Sequence, residues 1–120
     1  MKKILFFSSI VAIAFFACYN DSEEALYPSL SNNCDTTNVT YIATIKPKIM
    51  DFYCNGCHSN SNAANMGGGI KLETYTTVKG NASTIFDDIN SGRMPKGGSK
   101  ISSCNILQFD NWIKHNMPEK

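Results

Sequence analysis

The pentapeptide Cys54-Asn55-Gly56-Cys57-His58 constrains this chain more than any other stretch of it. Two thiols at i and i+3 and an imidazole at i+4 share one face of a helical or tight turn. Whatever fold forms must present those three groups together. The segment that carries them, Val39 to Lys120, is one domain by length. A domain of roughly 80 residues lies near the size where a core alone supplies little net stability, and covalent or ligand staples become common. A cluster of soft and nitrogenous donors in such a domain is therefore a candidate staple as well as a candidate site.

The spacing C-x-x-C-H is the attachment signature of c-type haem. Cys54 and Cys57 would bond the two vinyl groups, and His58 would be the proximal iron ligand. Gly56 lets the chain pass close to the porphyrin. Three other readings compete. A thiol redox pair with this spacing belongs in a βαβ context, and none is legible here. A structural zinc site needs four ligands, and there is no second Cys/His pair at finger spacing. A plain Cys54–Cys57 disulfide leaves His58 without a role. The expected cofactor is one covalent haem c.

The N-terminus sets where such a chain would go. Lys2 and Lys3 precede an apolar run from Ile4 to Ala17 broken only by Ser8 and Ser9. That run is shorter than the roughly 20 residues a bilayer span requires, and its apolar residues do not follow a helical period. It reads as a signal peptide over residues 1–17. Phe15-Phe16-Ala17-Cys18 resembles the lipobox of bacterial lipoproteins, although Phe15 stands where leucine is commoner. The resemblance implies that Cys18 receives a diacylglycerol and that the protein is exported and lipid-anchored to a membrane of the cell envelope, on its periplasmic side. Acyl methylenes inserted at about 0.8 kcal/mol each would hold such an anchor.

Residues 18–38 then read as a flexible tether. Asp21, Glu23, Glu24 and Asp35 occur with no basic residue, beside Pro28 and the polar run Ser31-Asn32-Asn33, a composition too poor in apolar surface to order itself. Residues 39–120 carry eight lysines and Arg93 against six acidic side chains. No basic block or aromatic ladder indicates a nucleic-acid partner.

Gly92-Arg93-Met94-Pro95-Lys96-Gly97-Gly98 looks like the distal loop of the small class I c-type cytochromes, in which a methionine followed by proline offers its thioether to the iron. Together with Ile45-x-Pro47-x-Ile49 ahead of the pentapeptide and a closing helix bearing Trp112, the chain resembles that family from Thr40 to Pro118. The resemblance implies an all-α fold of three to four short helices around one haem, with crossing N- and C-terminal helices. It implies axial ligation by His58 and Met94 and a role as a single-electron carrier. Such a carrier is not an enzyme: it has donor and acceptor proteins as partners and no small-molecule substrate. Lys96 and Lys100 would steer acidic partners toward the porphyrin edge. Met94 as a gap-filling core methionine, His115 as the sixth ligand, and an open sixth position are the alternatives. The last would make the protein a haem-based catalyst or a gas or peroxide sensor.

The helices are also legible from the residues themselves. Ile45, Ile49 and Phe52 share a face, with Thr44 as N-cap and Pro47 tolerable only in the first turn. Ser83 to Asn90 reads as a short helix with Ile85, Phe86 and Ile89 apolar, and Met66 to Gly69 as a loop. Leu72 to Val78 is ambiguous. Ser102 or Ser103 caps a final helix whose stripe is Ile106, Phe109, Trp112 and Ile113, stopped by Pro118. Of five cysteines, lipidation of Cys18 leaves Cys34 and Cys104 beside the haem pair. If the terminal helices cross, these two approach, and an oxidising compartment permits a disulfide. Two free thiols or an intermolecular bond are the alternatives.

Overall fold

A computed structural model describes residues Cys34–Lys120. The expected signal peptide, Cys18 and most of the expected tether lie outside the described residues. Among the described residues all regular structure is helical, as the sequence indicates. A π-helix over Tyr41–Cys54 is followed by α1 (Asn55–His58), α2 (Tyr75–Gly80), α3 (Ala82–Asn90) and α4 (Ser103–Lys114). None of these helices is long and apolar enough to cross a membrane.

The first helix differs from the sequence reading in its cap and its winding. Thr40, not Thr44, caps it: its hydroxyl accepts from the Ala43 amide at 3.3 Å. Pro47 consequently lies inside the helix and not in its first turn. In an α-helix a proline there removes a hydrogen bond, and its ring strikes the carbonyl four residues earlier. Wider i→i+5 winding is one way a chain admits it. The wider pitch also moves the buried face. Tyr41, Ile45, Ile49 and Met50 are buried, stepping by four to five residues, while Phe52 is 77% exposed. An α-helical period of 3.6 residues would have put Phe52 inward with Ile45. The i→i+5 winding delivers Cys54 to the inner side instead.

The two ends of the domain close on each other. Helix α4 packs on the π-helix, and Ser102 caps it by accepting from the Asn105 amide at 3.2 Å. Phe109 and Trp112 are fully buried, and Trp112 lies 6.1 Å from the Tyr41 ring and 6.5 Å from Tyr75, centroid to centroid. The chain beyond α4 turns back so that the carbonyls of Pro118 and Glu119 accept from the amides of Tyr41 and Ile42, at 2.9 and 3.0 Å. Those amides open the π-helix and have no partner within it.

Between the terminal helices, α2 resolves the ambiguous segment. Thr74 and Thr77 form a reciprocal capping box, a role usually taken by Ser/Thr with Glu or Gln. Helix α3 buries Ile85 and Ile89, and packs against α4 and α2.

Residues 34–38, which by composition belong to the tether, are part of this folded unit. Cys34 and Cys104 form a disulfide, with Cα atoms 5.4 Å apart. The Asp35 carbonyl accepts from the buried Gln108 amide at 2.7 Å. A polar segment is thus ordered by a covalent bond and by α4, not by apolar burial. Replacing Cys104 with Ser should lower unfolding free energy by about 2–4 kcal/mol, since the bond closes a long loop in the unfolded chain. Denaturant titration of the oxidised wild type and the variant checks this, with helicity by circular dichroism unchanged in water.

Candidate functional site

The pentapeptide sits where the π-helix tightens into a single α-helical turn. Cys54 ends the π-helix, and Cys57 and His58 fall in α1. Cys54 and Cys57 are free thiols, each half-buried. With no charge or donor nearby to offset its desolvation, burial pushes the Cys54 thiol up to about 11. A thiol redox centre works through a thiolate of lowered pKa, so this environment is the opposite of what that reading requires. Among the described residues no group of three His, Cys, Asp or Glu side chains is arranged to hold a metal ion.

His58 is held through the ring nitrogen nearer its backbone. Its Nδ1 lies 2.9 Å from the Ile70 carbonyl. A carbonyl can only accept, so Nδ1 carries the hydrogen, and in the neutral imidazole it is Nε2 that has the lone pair. The Leu72 amide donates to the His58 carbonyl at 2.8 Å, which ties the backbone of the turn to the same strand of loop. The pentapeptide is further braced by the Asn62 side chain, whose amide donates to the Gly56 carbonyl at 2.9 Å.

The turn opens onto a cavity of about 350 Å³, within the range of small-molecule and cofactor sites. Cys54, Cys57, His58 and Met94 all line it. Apolar wall comes from Leu72, Ile85, Ile89 and Ile101, and Tyr53 adds an aromatic edge. Asn81, Thr84, Asp88 and Lys96 supply its polar atoms.

Met94 reaches this cavity from the loop after α3. Asp88 ties the loop back to the helix twice: its carbonyl accepts from the Met94 amide at 3.1 Å, and its carboxylate pairs with Arg93 at 2.6 Å. Nothing in the sequence marks Asp88 for that task, because its partners are set by where α3 ends. His115, the alternative sixth ligand, lies exposed at the end of α4 with Nδ1 on the Asn111 carbonyl at 2.8 Å, and does not line the cavity. Met50 is buried in the core. Lys96 lines the cavity and Lys100 does not. Met66 and Ile70 also line it, although both are largely exposed. Sequence reasoning had treated Met66 to Gly69 as an undifferentiated loop and missed the Ile70 carbonyl entirely, since a backbone acceptor has no sequence signature.

Compared with protein-family models, with curated proteins and with solved structures, the chain matches none.

The raised pKa makes a kinetic expectation. In unmodified protein at pH 8, only about a thousandth of Cys54 is thiolate. Its alkylation by iodoacetamide should therefore be far slower than that of an exposed cysteine, and should rise about tenfold per pH unit until the pH nears 11. Peptide mass analysis of a timed alkylation series measures it.

Proposed function

We propose that this chain is a mono-haem c-type cytochrome with the class I fold, exported and lipid-anchored through Cys18, that carries single electrons between redox proteins at a bacterial envelope membrane. The observation that carries the reading is the convergence of four separate donors, Cys54, Cys57, His58 and Met94, on one largely apolar cavity. Three of these lie more than thirty residues from the fourth in sequence, so spacing alone does not bring them together.

The residues present fit a haem in three respects. The donor set is two thiols for covalent attachment, an imidazole and a thioether, which is the ligation of the c-type electron carriers. The His58 Nδ1–H bonded to the Ile70 carbonyl is the outer contact that fixes tautomer and orientation in metal-binding histidines. The apolar wall suits the face of a porphyrin, and Asn81, Thr84 and Lys96 offer polar contacts for its carboxylates.

When bound, haem would supply an iron that takes up and releases one electron. The chain's own residues do the rest. Cys54 and Cys57 prevent loss of the group, His58 presents Nε2 with its lone pair free, and Met94 offers sulfur from a loop pinned by Asp88. Leu72, Ile85, Ile89 and Ile101 keep water from the interior of the site, which limits reorganisation on electron transfer. With Met94 in place no coordination position is left for peroxide or a gas, and so carrier function is favoured over catalysis or sensing. Lys96 at the cavity would attract acidic partner surfaces at low salt.

Met94→Ala should keep covalent haem and helicity but lose sulfur ligation. The ferric spectrum should become high-spin or solvent-ligated, the midpoint potential should fall, and cyanide binding should accelerate at least tenfold as the position opens. An unchanged spectrum and potential would exclude Met94 as a ligand.

A further inference from the structure

We infer that Gly67 is a positioning residue for His58, needed because only hydrogen fits where its side chain would stand, and that it thereby sets the hydrogen bond that tunes the imidazole. This rests on the haem reading above. A Cβ at Gly67 would lie 2.6 Å from the Cys57 carbonyl oxygen, 2.9 Å from His58 Nδ1 and 3.1 Å from the Ala63 Cα. The first and third of these are backbone atoms of the turns on either side, and cannot swing away as a flexible side chain would. The same residue also builds the contact. Its amide donates to the Ala63 carbonyl at 3.0 Å, and its carbonyl accepts from the Ile70 amide at 3.1 Å. That turn sets the Ile70 carbonyl 2.9 Å from Nδ1.

The two glycines that follow have a different task. Gly68 and Gly69 adopt φ of 61° and 81°, and a Cβ at either meets nothing within 4 Å. Their requirement is conformational, because L side chains are costly in the left-handed region, and it does not involve His58. Gly67 is restricted by space alone. Three adjacent glycines that look alike in sequence are therefore separable by substitution.

Adding a methyl group at Gly67 must push the loop off the Cys57–His58 turn and stretch the bond from Nδ1. An imidazole whose Nδ1–H is bonded to a carbonyl is the more basic ligand, and a more basic ligand favours the higher charge on a metal. Loosening that bond should therefore raise the midpoint potential.

The test compares full-length wild type, Gly67→Ala and Gly69→Ala. It measures midpoint potential, thermal stability, pigment retention after denaturing acid-acetone extraction, and exchange of the His58 Nδ1 proton by NMR. Both variants should lose stability and keep covalent pigment. Gly67→Ala alone should raise the potential, on the scale of a tenfold change in the oxidised-to-reduced ratio (about 59 mV for one electron), and speed Nδ1 proton exchange. An unchanged potential in Gly67→Ala overturns the inference, as does an equal shift in Gly69→Ala, which would assign the effect to loop stability. Should Gly67→Ala not fold, the wild type decides: a His58 Nδ1 proton that exchanges as fast as a solvent-exposed imidazole overturns it, and a protected one supports it. Free extraction of the pigment from wild type defeats the haem reading itself, while proton protection in the haem-free protein still tests the contact at Gly67.

Discussion

The Pro118 carbonyl accepts two hydrogen bonds, from the Tyr41 amide at 2.9 Å and from the Trp112 indole at 2.9 Å. Through this one oxygen the end of the chain, the last helix and the first turn of the π-helix are joined over a buried aromatic cluster. The Tyr75 hydroxyl adds α2 to the same junction by donating to the Met117 carbonyl at 2.8 Å. Buried polar groups are costly unless paired, so the arrangement tolerates little slippage. The π-helix that begins at this junction ends at Cys54, and its register there decides which way the pentapeptide faces. A fixed N-terminal end is thus the condition for a defined site at the other.

Wherever the residues carry their own geometry, the sequence was informative. The pentapeptide spacing, the capped stripe of α4 and the short α3 were readable because period and caps are local properties, although α4 ends at Lys114, ahead of positive-φ Asn116 and Met117 and not at Pro118. Pro47 marks where local reading failed. It was placed in a first turn because an α-helix tolerates it nowhere else, whereas the chain winds more widely and shifts the buried face away from Phe52. The Thr74–Thr77 capping box was missed because threonine at its third helical position is a weak signal beside Glu or Gln. The backbone acceptors on which the site depends, Ile70 and Asp88, have no sequence signature at all. The order of residues 34–38 comes from one disulfide and one hydrogen bond, against their composition.

Viewed as a device, the site divides its tasks between elements of different stiffness. The thiols and imidazole lie on a helical turn braced by Asn62 and the Leu72 amide, and Met94 lies on a loop held at Asp88. Met94 is tied to α3 by the bond from its amide to the Asp88 carbonyl and, through Arg93, by a partly exposed ion pair worth little by itself.

The central claim is covalent haem on the pentapeptide, and proteolysis with mass analysis of protein matured in a host able to attach c-type haem tests it most directly. The account predicts that the peptide spanning Cys54 and Cys57 carries the added mass of one haem and leaves neither thiol open to alkylation. A peptide of unmodified mass with both thiols alkylated would contradict it, whatever colour the preparation has.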